Sequence, residues 1–148
     1  NRSLTGLVDV AFMGQDRLLL AWEDRLLLMG LDGHVLWRLT GLSGVRDADA
    51  IGSDAVLICL PDRVRIMGLN GTVLLDYFVE GPLDAEYVDG RLYVAVENAV
   101  LVVEEGSVIA TYPCSPADVE VLGDGGAIFI VEGTTIRALT GPAWEFEC

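Results

Sequence analysis

Met29-Gly30-Leu31-Asp32-Gly33-His34-Val35-Leu36 is followed 38 residues later by Met67-Gly68-Leu69-Asn70-Gly71-Thr72-Val73-Leu74. The coincidence extends outward in the same register. Asp9 falls on Asp47, Gly14 on Gly52, Asp16 on Asp54, and Asp24-Arg25 on Asp62-Arg63. A third copy starts at Leu83, where Asp84-Ala85-Glu86 repeats Asp47-Ala48-Asp49 and Gly106 repeats Gly71. A fourth starts near Ala117, where Asp118-Val119-Glu120 repeats the triplet again and Gly141 takes the place of Gly106. Self-similarity at one period is the mark of a repeat architecture. The chain therefore reads as one repeat domain over 1–148, with units of approximately 7–44, 45–82, 83–116 and 117–148.

Each unit reads as strand, turn, strand, turn, strand, turn, strand. In the first unit the runs are Val8 to Met13, Arg17 to Trp22, Arg25 to Met29 and Val35 to Leu39, rich in β-branched and aliphatic residues. The second and third runs are joined at Glu23-Asp24, Pro61-Asp62, Glu97-Asn98 and Glu132-Gly133. The third and fourth are joined at Asp32-Gly33, Asn70-Gly71, Glu105-Gly106 and Thr140-Gly141. Asp-Gly and Asn-Gly are hairpin signals, and the expected turn is type I′, with φ > 0 at both central residues. No helical period interrupts the pattern. The expected fold is all-β: four four-stranded antiparallel units of the β-propeller type, compatible with half of an eight-bladed ring.

The segment Gly30-Leu31-Asp32-Gly33-His34-Val35-Leu36-Trp37 resembles the quinoprotein-type (PQQ-like) propeller repeat, with Leu-Asp ahead of a turn Gly and Trp four residues after it. The second unit has Leu75 at the Trp position, the fourth has Trp144 one residue early, and the third has none. WD40-like blades are the next resemblance, without that family's Gly-His and Trp-Asp pairs. The vicinal cysteines of quinoprotein dehydrogenases are missing, and nothing matches their cofactor site. The resemblance implies blades and a usual ring of eight, so four units predict association with a second copy of the chain.

Composition narrows the chemistry. Nine basic residues, all arginine, face 23 acidic ones, for a net charge of −14. That balance argues against nucleic acid and anionic membranes, which need a basic footprint. Hydrophobic residues make up 52% and mean hydropathy is +0.46, enough for a core. No apolar run approaches the ~20 residues of a membrane span. Without lysine there is no Schiff-base chemistry, and one histidine, His34, excludes a multi-histidine metal site. No signal peptide opens the chain, so a cytoplasmic location is expected; it begins with Asn1 and reads equally as a processed product or a fragment.

The three cysteines, Cys59, Cys114 and Cys148, form neither a disulfide framework nor a CxxC site. Cys114 and Cys148 hold nearly one repeat position, so no bridge between them is expected. Cys59 reads as a small core residue. The tryptophans Trp22, Trp37 and Trp144 read as packing between blades, Arg25 and Arg63 as surface residues in equivalent turns, and His34 as exposed.

The most ordered feature with chemical content is acidic. Asp9, Asp47, Asp84 and Asp118 share one repeat position in the first strand of each unit. Two residues on, facing the same way, stand Asp49, Glu86 and Glu120, with Ala11 breaking the series. First strands line a propeller channel, so these carboxylates converge there in the expected fold. Like charges so placed need compensation, either by a hard cation such as Ca²⁺ or Mg²⁺ or by hydrogen bonds from backbone N–H groups. No cofactor beyond such an ion is expected.

Three functions follow from this pattern. The first is a non-enzymatic interaction module or scaffold that binds a protein partner or itself, suggested by the poverty of catalytic groups. The second is a propeller that binds a small molecule, glycan or cation at an acidic channel mouth. The third is a carboxylate-dependent hydrolase. A co-purifying protein, calcium-dependent melting, and activity lost on single Asp replacement would respectively single them out.

Overall fold

Alternating apolar runs punctuated by glycine turns fold into antiparallel meanders. The computed structural model describes residues 6–113 with their side chains, together with the backbone of three further strands at 118–122, 127–132 and 135–139. The first sheet is β1 (Leu7–Met13), β2 (Arg17–Trp22), β3 (Leu26–Gly30) and β4 (Val35–Leu39). The second is β5 (Asp47–Ile51), β6 (Ala55–Leu60), β7 (Arg63–Gly68) and β8 (Val73–Phe78). The third is β9 (Asp84–Val88), β10 (Arg91–Val96), β11 (Ala99–Glu104) and β12 (Ser107–Pro113). The fourth comprises β13 (Asp118–Leu122), β14 (Ala127–Glu132) and β15 (Thr135–Leu139). In each sheet the strands lie in sequence order with every neighbour antiparallel. The architecture is all-β, built from propeller-type blades, and no helix occurs among the described residues. A fourth strand for the last unit, and with it Thr140-Gly141, Trp144, Cys114 and Cys148, lies outside the described residues.

The chain divides into two compact units, Asn1–Phe78 and Val79–Cys148. In the first, β1 and β2 lie against β5; in the second, β13 lies against β9 and β10. The core of the first unit fills the space between its two sheets. Met13, Leu19, Ala21, Leu26 and Leu28 from the first sheet meet Ala48, Val56, Ile58, Leu60 and Met67 from the second. These sets share faces because paired residues point the same way: Ala11 opposes Leu19, which opposes Leu28, which opposes Trp37. Trp37 packs on this core, as its reading between blades requires. Trp22 does not. It is buried on the other face of the first sheet with Leu20 and Leu27. Cys59 is fully buried.

The repeated glycine segment has a single structural explanation. In the first sheet the Gly33 N–H donates to Gly30 O at 3.0 Å, and the Gly30 N–H donates to His34 O at 3.0 Å. In the second, Gly71 donates to Gly68 O at 3.0 Å, and Gly68 to Thr72 O at 2.8 Å. The Asp32 and Asn70 side chains accept from the backbone N–H two residues on, at 3.1 and 3.0 Å. A Cβ on Gly30 or Gly68 would fall 2.8 or 2.7 Å from those side-chain oxygens, which favours glycine at both positions. Only Gly33 (φ 88°) and Gly71 (φ 89°) are left-handed in these turns, and the register slips beside them at Leu28/Met29 and Ile66/Met67. They are therefore right-handed turns closed by a glycine bulge, not the type I′ turns expected from Asp-Gly and Asn-Gly. Type I′ geometry requires both central residues left-handed, and that occurs at Glu105 (φ 51°) and Gly106 (φ 79°).

Candidate functional site

Two members of the acidic series, Asp9 and Asp49, bond backbone N–H groups. Asp9 lies on the inner strand of the first sheet. Its Oδ1 accepts from the Val10 N–H at 2.8 Å and its Oδ2 from the Ala48 N–H, across to β5, at 3.2 Å. One carboxylate thus joins the inner edges of two adjacent blades. Asp49 Oδ1 accepts from the Ala50 N–H at 2.8 Å. Asp47 opposes Cys59, Asp84 opposes Ala95, Glu86 opposes Tyr93, Asp118 opposes Val131 and Glu120 opposes Phe129. Each thus keeps its place in the first strand of its own sheet. Among the described residues no three Asp, Glu, His or Cys side chains are grouped to hold a metal ion.

A second arrangement sits where the two sheets of the first unit meet at their β2–β3 and β6–β7 turns. The connection from β4 to β5 is pinned there. The Leu42 N–H donates to Asp24 O at 3.1 Å and the Val45 N–H to Glu23 O at 3.0 Å. Gly44, left-handed at φ 77°, lets the chain pass against Pro61; a Cβ there would fall 2.5 Å from the proline ring. The segment Gly41–Ser43 separates two open grooves. One, of about 350 Å³, is lined by Trp22, Asp24, Arg25, Leu42 and Ser43. The other, of about 510 Å³, is lined by Leu42, Leu60, Pro61, Asp62, Arg63 and Arg65.

Repeat-equivalent arginines border both grooves. Arg25 stacks over the Trp22 ring at 4.8 Å and pairs with Asp24 at 3.0 Å. Arg63 stacks over Phe78 at 4.6 Å and pairs with Asp62 at 3.0 Å. The side-chain hydrogen bond between them holds the Asp62 carboxyl below its ordinary range. Arg65 stands directly opposite Asp76 and bonds it at 2.9 Å. The charges on this rim are balanced locally in a chain that is strongly acidic as a whole. Asp24-Arg25 and Asp62-Arg63 were legible as equivalent turns. The role of Leu42 and Pro61 was not, because it depends on which connection crosses those turns.

His34 is exposed, as its turn position implies, and lies at the far end of β3 from these grooves. Its Nδ1 lies 2.8 Å from Asp32 Oδ2. That hydrogen bond raises the imidazole pKa and lowers that of the carboxyl.

No protein-family profile matches the chain, and no curated protein is similar to it. Solved structures are. Hydrazine synthase of Kuenenia stuttgartiensis superposes with a TM-score of 0.74 at 13% identity, over 95% of this chain and 47% of that one. The WD40 β-propeller domain of Doa1 gives 0.73 at 16% identity, over 89% and 49%. The C-terminal WD40 domain of Sif2 gives 0.66 at 19%, over 85% and 43%. The chain thus spans about half the length of the propeller structures it resembles, and what it shares with them is the fold: a run of β-propeller blades.

Proposed function

We propose that the chain is a non-enzymatic β-propeller interaction module and that a protein partner docks at the paired grooves flanking Gly41–Ser43. The observation that carries this reading is their lining. Two adjacent concavities have an apolar floor of Trp22, Leu42, Leu60 and Pro61 and a rim of stacked arginines. Aromatic residues and arginine are the types enriched at protein interfaces and their hot spots. The arginines are held in place by their ring and carboxylate contacts, so less side-chain freedom is lost on binding.

The test is titration calorimetry with a partner captured on the 148-residue chain and identified by mass spectrometry. Arg25→Ala and Arg63→Ala are each expected to weaken binding by ~10-fold, the size of a moderate interface contact. Unchanged affinity in both variants would move the partner site elsewhere. Melting that rises with added Ca²⁺ and is lost in Asp47→Asn would favour cation binding at the acidic first strands instead.

A further inference from the structure

The face of the second sheet that packs on the first carries Ala48, Ala50, Val56, Ile58, Leu60 and Met67. Shifted back by one repeat, these positions become Val10, Phe12, Leu18, Leu20, Trp22 and Met29. All six lie on one face of the first sheet, since Val10 opposes Leu20, and Phe12 opposes Leu18, which opposes Met29. That face points away from the second sheet, whose core partners are Ala11, Met13, Leu19, Ala21, Leu26 and Leu28. The first sheet therefore bears the accepting half of a blade-to-blade interface. Its inner strand is bare: Val10 is 47% exposed and Phe12 68%, whereas Ala48, at the position of Val10, is 3% exposed. Leu18 and Leu20 lie on this face; Leu26 and Leu28 are buried against the second sheet.

We infer that this face takes a blade from a second copy of the chain. The inference gives the self-association arm of the interaction reading a definite surface, centred on Val10 and Phe12, which shares Trp22 alone with the grooves. Three observations select a second copy. First, the surface is shaped for a blade, because its repeat-equivalent already holds one. Second, the chain's own last sheet repeats the register of the donating face: Asp118 opposes Val131 and Glu120 opposes Phe129, as Asp9 opposes Ala21 and Ala11 opposes Leu19. Third, the solved propellers that the chain resembles are about twice its length, the length of two copies. A two-fold axis lets each copy give one blade and take one, so that both contacts are the same. Each copy carries −14, so the contact relies on apolar burial and tightens as salt screens the repulsion.

Sedimentation of the 148-residue chain at micromolar concentration tests this. The expected mass is twice 15.9 kDa, with the dimer favoured by added salt. Val10→Glu and Phe12→Glu, both at exposed side chains, are each expected to keep the β-rich circular dichroism spectrum and raise the dimer dissociation constant at least ~100-fold. Leu74→Glu, at a residue 61% exposed on β8, keeps the dimer mass. A wild-type monomer, or a dimer that survives both Val10→Glu and Phe12→Glu, overturns the inference. So does a dimer abolished by Leu74→Glu. None of these outcomes touches the groove reading, whose arginine variants are measured against a different partner.

Discussion

The first and second sheets are two copies of one design placed in different surroundings. Their turns agree down to individual hydrogen bonds: Leu31 donates to Asp16 O, and its equivalent Leu69 donates to Asp54 O. Their burial does not agree. Leu57, in the middle of β6, is 1% exposed and every residue of that strand is buried, whereas β2 begins with two half-buried residues and β1 carries Val8, Val10 and Phe12 in the open. Local sequence thus sets the blade, while its neighbours decide which apolar face becomes core. Position 27 of the first repeat and position 65 of the second make the same point. The first holds a leucine buried beside Trp22, and the second an arginine bonded to Asp76 at the groove.

The sharpest way to break this comparison is to place one charge at both copies of a position. Ala48→Glu puts a carboxylate into the closed interface and is expected to lower unfolding stability by at least about 3 kcal/mol. Val10→Glu, measured by urea denaturation at a dilution where the chain is monomeric, is expected to change it by no more than about 0.5 kcal/mol. Equal losses would mean that the two faces are not distinguished by their neighbours.

A smaller effect comes from Asp9. Its replacement by alanine removes the acceptor shared by Val10 and Ala48 and is expected to lower stability by about 1 kcal/mol. Asp9→Asn, which keeps one acceptor oxygen, is expected to lose less. If Asp9→Ala instead left urea midpoints unchanged, the bond between blades would contribute nothing to folding.

The smallest effect belongs to the Asp32–His34 pair, which the second repeat replaces with Asn70 and Thr72. The histidine pKa is raised above 6.5, so its favourable interaction is full below that value and is lost as pH rises through the raised pKa. The carboxyl is lowered below 3.8, so its share is full above that value and is lost as pH falls through the lowered pKa. The pair is therefore at full strength between 3.8 and 6.5. Titration of the His34 ring protons by NMR should give a midpoint above 6.5 that returns to the ordinary value in Asp32→Asn. A midpoint indifferent to that substitution would show that the contact does not persist in water.

The blade was legible in the sequence because its signals are local. Strand length, glycine spacing and the recurring Asp-Ala-Asp/Glu triplet all lie within one unit, and the repeat multiplied each of them. The turn type was misjudged for a local reason too. Gly30 and Gly68 stand three residues before the turn glycines, and their lack of a Cβ lets Asp32 and Asn70 fold back onto the backbone. The grooves were not legible, since they arise where the Gly41–Ser43 connection crosses turns from two blades. The acidic series could be aligned from sequence alone. That Asp9 spends both oxygens on N–H groups of different strands could not, because the second of them lies 39 residues away.

The Asn70-Gly71 turn also bears on how the chain ages chemically. An asparagine before glycine is open to deamidation through attack of the glycine nitrogen on its side-chain carbonyl, one reason asparagine counts among thermolabile residues. Here that nitrogen is turned toward Gly68 O at 3.0 Å, and the Asn70 side-chain oxygen is held by the Thr72 N–H at 3.0 Å. The reaction must wait until the hairpin opens. Conversion of Asn70 to aspartate and isoaspartate is thus a slow covalent clock that counts openings of one turn, and protein recovered from storage carries the tally.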